Sequence, residues 1–153
     1  MAGTARKLKI TFGVLLALFL LLQLWPAGRS NPPVAGELAG PPEVKAILAR
    51  CCYDCHSNET RWPWYAYVNP VAFFVVHDTD EGRRKLNFSI WESYSSVKRS
   101  SKADEMVEEI EKGSMPLGPY LWMHGDARVT PQELKVLRTW SEGLPANFDE
   151  EPR

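Results

Sequence analysis

The sequence predicts an all-α domain behind a single N-terminal transmembrane helix. Apolar residues recur at helical spacing in several separate segments, and no segment alternates apolar and polar residues for long enough to indicate a sheet. A basic N-terminus is followed by a long uncharged apolar run. Twelve prolines among 153 residues indicate a small, loop-rich domain, and such domains often need a metal or a covalent group to hold a modest core together.

The first segment, residues 1–27, predicts export. Three basic residues precede an uncharged run of 16 residues, Ile10–Trp25, slightly shorter than the span of about 20 residues that a bilayer requires. Neither Ala27 nor Gly28 completes the small-x-small pattern of a cleavage site, which favours an uncleaved signal anchor over a removed signal peptide. Because the basic flank should stay in the cytoplasm, we expect a single-pass inner-membrane protein with its domain on the periplasmic side.

Residues 28–41 are rich in proline and glycine, which predicts an extended tether rather than a helix. The folded domain is predicted over residues 42–146. Its first helix begins at Pro42 and buries a face with i, i+3, i+4, i+7 spacing, made of Val44, Ile47, Leu48 and Cys51. The acidic segment 147–153 is predicted to be a solvated tail.

Three further helices follow from capping signals. Asn69-Pro70 predicts the start of a helix that continues to about Lys85. Ser89 with Glu92 and Ser101 with Asp104 are capping-box candidates, and the second predicts a helix that ends at Gly113 and turns inward Ala103, Met106, Val107 and Ile110. Thr130 with Glu133 predicts the start of the last helix, whose buried face would contain Leu134, Leu137, Trp140 and Leu144.

All three cysteines lie in one local cluster that ends in histidine. Cys52-Tyr53-Asp54-Cys55-His56 is a CxxCH motif, the pattern of covalent haem attachment. Two thiols on one helical turn can add across the two vinyl groups of haem, and the next residue, His56, can then offer its imidazole to the iron as the proximal ligand. The sequence therefore predicts one molecule of haem c on Cys52, Cys55 and His56.

Three other interpretations of the cluster have less support. A redox CxxC is expected at a helix start after a strand, whereas this one follows a helix. A zinc site would need further ligands, and His77 and His124 are far away in the sequence. A disulfide between Cys52 and Cys55 would leave His56 unexplained. Cys51 creates an additional CxxxCH pattern that could compete for a vinyl group, but its place on the apolar helix face favours a buried small residue.

The sixth iron ligand has more than one candidate in the sequence. Met115-Pro116 lies 59 residues after His56, on a loop between two glycines, and a thioether there would favour Fe(II). His124 is the alternative distal ligand, and Met123 ranks below it. A third interpretation leaves the position open to small molecules. We rank Met115 first, His124 second and the open site third.

Several motifs together resemble the bacterial haem-binding domain family and, in outline, class I cytochrome c. The resemblance is carried by the cysteine cluster with Ser57-Asn58-Glu59-Thr60 after it, by Asn31-Pro32-Pro33-Val34 and Leu86-Asn87-Phe88-Ser89, and by Glu109-Ile110-Glu111-Lys112-Gly113-Ser114-Met115-Pro116. It implies an N-terminal anchor, a small cytochrome c-like helical domain, attachment through Cys52, Cys55 and His56, and a distal Met115. It also implies that Trp62, Trp64 and Tyr65 pack near the porphyrin or support its loop.

These observations predict a c-type cytochrome that transfers single electrons between redox partner proteins and is attached to the membrane through its N-terminal helix. The alternative is a haem-based gas or redox sensor with an open sixth position. No distal His–Arg pair is recognisable, so we do not expect an enzyme acting on peroxide. A net charge of −1 offers no basic footprint for nucleic acid.

Overall fold

The computed structural model describes residues 2–145, and the described residues are helical, with no β-strand among them. Within residues 2–145, seven α-helices follow one another: α1 (Ala2–Leu22), α2 (Pro42–Cys51), α3 (Tyr53–His56), α4 (Val71–Lys85), α5 (Ser96–Glu111), α6 (Gly118–Met123) and α7 (Pro131–Glu142). Short 3₁₀ helices occupy Trp64–Tyr67, Phe88–Ser93 and Gly125–Ala127. The predicted all-α class is confirmed.

The helices group into two compact units. The first unit contains the residues up to Ser30 together with Trp62–Thr79. The second contains Asn31–Arg61 together with the residues from Asp80 onward. The division falls within α4, so the last residues of that helix belong to the second unit.

Helix α1 corrects one prediction. No helix in residues 2–145 is both long enough and apolar enough to cross a membrane, so the transmembrane helix expected from the sequence has no support. The physical reason lies in the bounds of α1. The helix runs from Ala2 to Leu22, so every stretch of it that is about long enough to span a bilayer contains the basic residues Arg6, Lys7 and Lys9.

Asn69 organises the first unit. Its side-chain nitrogen donates to the carbonyl oxygens of Leu22, at 2.8 Å, and Trp25, at 2.7 Å, just where α1 ends. Its backbone N–H donates to the side-chain oxygen of Gln23 at 2.9 Å. These bonds satisfy carbonyl groups that a helix end would otherwise leave without partners. A small apolar cluster completes the unit, formed by Ala27, Ala72 and Val76 with Trp62 and Phe73 against it.

The second unit contains the larger core. Helix α2 buries the four residues predicted for its inner face, and α5 buries three of its predicted four, with Ile110 partly buried. Phe88 and Trp91 are almost completely buried beside Tyr53 and Leu137. Burial of each large apolar side chain contributes roughly 1.5–3 kcal/mol, so this aromatic centre holds the helices of the unit together.

The segment predicted as an extended tether is irregular, and from Asn31 onward it is part of the second unit. Leu38 is only 1% exposed. The backbone N–H groups of Ala35 and Leu38 donate to the carbonyls of Ser89 and Phe88, at 3.0 and 3.2 Å. Residues 35–38 are therefore fixed to the segment Phe88–Ser89 within the second unit.

The helix starts agree with the sequence in part. Helix α7 begins where predicted, and Thr130 and Glu133 form a capping box at its start. Helix α5 begins at Ser96 and is capped by Ser95, one turn or more before the predicted Ser101. The Ser89–Glu92 box is not formed, because the side chain of Asn87 accepts the N–H of Ser89. The acidic tail predicted over residues 147–153 lies outside the described residues.

Candidate functional site

A cavity of about 550 Å³ lies within the second unit. This volume falls in the range of roughly 300–1,000 Å³ that is typical of cofactor and small-molecule sites. Its wall is mainly apolar, with sulfur atoms and a ring of charged side chains. The lining residues are Cys51, Cys52, His56, Lys85, Leu86, Phe88, Lys102, Glu105, Met106, Glu108, Glu109, Ile110, Lys112, Met115, Pro116 and Val129.

The cysteine motif lies at the junction of α2 and α3. Helix α2 ends at Cys51, and the backbone at Cys52 turns (φ −127°, ψ −33°) before α3 begins at Tyr53. The N–H of His56 donates to the carbonyl of Cys52 at 2.9 Å, which closes one helical turn across the motif. The turn places Cys52 and His56 on the cavity wall. Cys55 is half-buried and is not one of the lining residues.

Cys51 is buried, at 5% exposure, as the helical spacing predicted. It also forms part of the cavity wall beside Cys52. Burial raises the pKa of both thiols, so at neutral pH they are protonated S–H groups rather than thiolates.

A close approach between two helices fixes the imidazole. A Cβ atom placed on Gly82 would lie 2.6 Å from the carbonyl oxygen of Cys55, so only glycine lets α4 pack this closely on α3. The same approach brings two carbonyls to His56: its Nδ1 lies 3.0 Å from the oxygen of Gly82 and 3.1 Å from that of Leu86. The end of α4 therefore holds the orientation of the ring.

These contacts determine the protonation of His56. Carbonyl oxygens only accept hydrogen bonds, so Nδ1 carries the proton and donates. Burial lowers the pKa of His56, against the smaller raising effect of the two carbonyls, and the ring is neutral at pH 7. Nε2 then keeps its lone pair, which is the form in which histidine binds a metal.

Met115 reaches the cavity from the loop after α5. Gly113 ends that helix with a positive φ of 73°, a conformation that glycine adopts without strain. The N–H groups of Ser114 and Met115 both donate to the carbonyl of Glu109, at 3.0 and 3.2 Å, which ties the loop to the last turn of α5. The structure thus brings a thioether to the same cavity as Cys52 and His56.

The other histidines and Met123 lie elsewhere. His124 stacks on Tyr120, with ring centroids 4.2 Å apart and planes 8° apart, and its Nδ1 lies 3.3 Å from the Tyr120 carbonyl oxygen. It is not a lining residue of the cavity. Met123 is 56% exposed, and His77 is exposed on α4. Within residues 2–145, no three His, Cys, Asp or Glu side chains are grouped to hold a metal ion, which gives the zinc interpretation no support.

The aromatic trio expected near a porphyrin belongs to the first unit. Trp62 packs against its small apolar cluster, and Trp64 is 69% exposed at the start of the 3₁₀ helix Trp64–Tyr67. Tyr65 meets Trp64 edge-on, with centroids 5.8 Å apart. None of the three lines the described cavity.

Polar side chains also fix the motif through hydrogen bonds and an ion pair. Asp54 lies between the two cysteines, and its carboxylate accepts the Tyr120 hydroxyl at 2.8 Å. It also accepts the backbone N–H of Arg61 at 3.1 Å and forms an ion pair with that guanidinium at 3.3 Å. Arg83, next to Gly82, donates to the carbonyl of Ser57 at 2.7 Å and fixes the segment after the motif.

Sequence reasoning did not identify Gly82, Leu86 or Asp54 as parts of the site. Gly82 carried a usable signal: glycine inside a helix costs about 1 kcal/mol relative to alanine, so its presence there indicates a close approach. The carbonyl of Leu86 carried none, because any residue supplies one. Asp54 could not be paired with Tyr120 before the fold was known.

The residues present fit a haem. The cavity offers apolar walls of suitable volume, a protonated thiol at the motif, a neutral imidazole with a free lone pair and a thioether.

A comparison with known protein families agrees with haem binding. The haem-binding domain family matches residues 17–143, far more than half of the chain. No curated protein and no solved structure matches the chain. On the strength of the family match, this chain belongs to the haem-binding domain family, and its cofactor is haem.

Proposed function

We propose that the protein is a c-type cytochrome that holds one haem covalently and transfers single electrons. The observation that carries the proposal is the cavity that brings together Cys52, a neutral His56 and Met115. A bound haem supplies an iron atom that exchanges one electron at a time. The protein's part is to hold the group, set its potential and limit access to it.

Cys52 and Cys55 are the proposed thioether donors. Both belong to the single helical turn that ends in His56, and burial keeps the Cys52 thiol in the protonated form that addition across a vinyl group uses. Cys51 is the internal competitor, because it also lines the wall. The expected product carries two thioethers, with Cys51 left as a thiol in the core.

His56 is the proposed proximal ligand and Met115 the proposed distal ligand. Gly82 and Leu86 keep the proton of His56 on Nδ1, so that Nε2 stays available. Met115 is favoured over His124 because it shares the cavity with His56, whereas His124 is stacked on Tyr120. Two strong ligands make an electron carrier rather than a catalyst, since no position is left for a substrate.

The alternative function is a haem-based gas or redox sensor. The half-exposed setting of Met115 on a loop favours it, since a thioether that solvent reaches is more easily replaced by a small ligand. Spectra of the reduced protein before and after carbon monoxide separate the two functions. An unchanged six-coordinate spectrum supports the electron carrier, and rapid conversion to a carbonyl complex supports the sensor.

We further propose that the domain works on the periplasmic side of the inner membrane, where it meets redox partner proteins. Basic residues followed by an uncharged run favour export, whether or not the segment is later removed. Cell fractionation tests the compartment, and alkaline washing of the membranes tests whether the N-terminal segment keeps the protein there.

The decisive experiment is expression of the full chain with a working haem-attachment system. A haem-stained band should survive denaturing electrophoresis, and the peptide that contains residues 51–56 should gain the mass of one haem. Cys52→Ala and Cys55→Ala should each leave one thioether, and the double variant should lose the band. A wild-type chain without added haem mass would refute the c-type proposal.

A further inference from the structure

Six charged side chains line the cavity: Lys85, Lys102 and Lys112 with Glu105, Glu108 and Glu109. Their charges cancel. A haem carries two propionate groups, so its entry adds two negative charges to this neutral rim. Each carboxylate needs a cation within hydrogen-bond reach to offset its loss of water.

Two of the three lysines have structural reasons to be where they are. Lys85 ends α4, and Lys112 follows the last residue of α5, positions where a cation complements the helix dipole. Each lies four residues after a glutamate with which it forms an ion pair, the favourable order along a helix. Their side chains are 75% and 58% exposed, as expected for solvated helix ends.

Lys102 is different. It lies inside α5, and its side chain is only 23% exposed, whereas lysine is rarely buried this far without a reason. Its Nζ donates to Oε2 of Glu105 at 2.6 Å. In this pair the lysine precedes the glutamate, which is the less stabilising order in a helix. Helix stability therefore does not explain the position of Lys102.

The surroundings of Lys102 suit an incoming anion. The aliphatic stem can cover the apolar wall near Met106 while the ammonium stays polar, as lysine side chains commonly do. Its present partner, Glu105, is 58% exposed and can turn into water at little cost. A carboxylate that arrives with an apolar ring can take the place of Glu105.

We propose that Lys102 binds a propionate of the haem and that Glu105 occupies its ammonium until the haem arrives. The inference rests on the proposed function, in that it places the haem in this cavity. Lys102 therefore selects the diacid form of the porphyrin, while the thiols and His56 hold the other parts of the ligand.

The test uses the full chain in its apo form and iron mesoporphyrin IX, whose ethyl groups cannot form thioethers. The wild type should bind this diacid about threefold to tenfold more tightly than its dimethyl ester, the effect expected of one partly exposed ion pair. Lys102→Met should lose most of that preference and Lys102→Arg should keep it. Glu105→Gln should strengthen diacid binding by removing the competitor. Lys135→Met, an exposed lysine on α7 that does not line the cavity, is the matched control.

The possible outcomes distinguish a failure of the role proposed for Lys102 from a failure of the proposed function. Equal affinity of the wild type for diacid and ester, a comparison that needs no variant to fold, overturns the role of Lys102 and leaves haem binding intact. The role of Lys102 is also overturned if Lys102→Met retains the preference for the diacid while its circular dichroism matches that of the wild type. Failure of both porphyrins to bind overturns the placement of haem in this cavity as well.

Discussion

Gly82→Ala tests whether the contact between α4 and α3 positions the haem ligand. The new Cβ would lie 2.6 Å from the carbonyl oxygen of Cys55 and 3.2 Å from its carbonyl carbon, whereas ordinary contact begins at 3.4 Å. Both atoms belong to the backbone, so no side chain can turn away. The two helices must separate by roughly 0.8 Å, the difference between 3.4 and 2.6 Å.

The separation acts directly on His56. Its Nδ1 lies 3.0 Å from the Gly82 oxygen, and the same displacement would take that distance beyond the limit of a hydrogen bond. Alanine in place of glycine stabilises a helix by about 1 kcal/mol, whereas overpacking destabilises a protein by about 1–3 kcal/mol. We therefore expect the free energy of unfolding to fall by about 1 kcal/mol. The larger effect should fall on the haem: a lower yield of covalent haem and an altered ferric spectrum.

Thermal unfolding of the apo protein and absorption spectra of the haem-loaded protein measure the two effects. Gly118→Ala is the matched control, because it also places alanine in a helix but meets nothing within 4 Å. The control should unfold at or above the wild-type temperature and keep its spectrum. If Gly82→Ala behaved in the same way, the close approach would not be what orients His56.

Three further predictions concern the distal ligand, the core and the acid response. Met115→Leu should abolish the charge-transfer band of sulfur-ligated ferric haem, whereas His124→Ala should leave it; loss of the band in the second variant alone would reverse the assignment. Tyr53→Phe should raise the free energy of unfolding by about 1 kcal/mol, because it removes a buried hydroxyl without a hydrogen-bond partner. The hydroxyl of Tyr94 accepts the N–H of Asn87, so Tyr94→Phe should instead lower the free energy of unfolding. A lower free energy of unfolding in both variants would contradict the reasoning. The pKa of Glu133 is lowered, first by its hydrogen bond to the Thr130 backbone and also by Arg50. This carboxylate therefore stabilises the fold at pH values above its unfolded pKa, and the contribution is lost as the pH falls through its lower folded pKa. Glu133→Gln should flatten the stability of the apo protein, relative to wild type, as the pH falls below 4.5, the ordinary pKa of a glutamate. An unchanged pH profile would show that this carboxylate contributes nothing.

The helices that could be predicted are those whose signals are local. The apolar spacing of Val44, Ile47 and Leu48 and the capping box at Thr130 each depend on a few neighbouring residues, and the structure confirms both. The start of α5 was placed too late because Asp104, three residues after Ser101, completes a capping-box pattern, whereas Ser95 is followed at that spacing by Lys98. Helix α6 was not predicted, since its six residues are too few to show a period.

For the candidate site, too, the features that could be predicted are the local ones. The cysteine motif and the Met-Pro loop were visible in the sequence because each is a short contiguous pattern. The partners of His56 were not visible, because Gly82 and Leu86 come from a helix that reaches α3 only in the folded chain. The placement of Trp62, Trp64 and Tyr65 in a different unit from the cavity could not have been predicted from local patterns, and the family resemblance implied a position near the porphyrin or its loop.

The bond between Asp54 and Tyr120 joins positions 66 residues apart and has a consequence for evolution. A residue between the two cysteines is usually regarded as a free spacer, yet here it is a hydrogen-bond acceptor for a distant hydroxyl. Replacing either partner alone removes this hydrogen bond beside the motif. Among relatives, a change at Asp54 should therefore be accompanied by a change at Tyr120, and the spacer should drift more slowly than its position suggests.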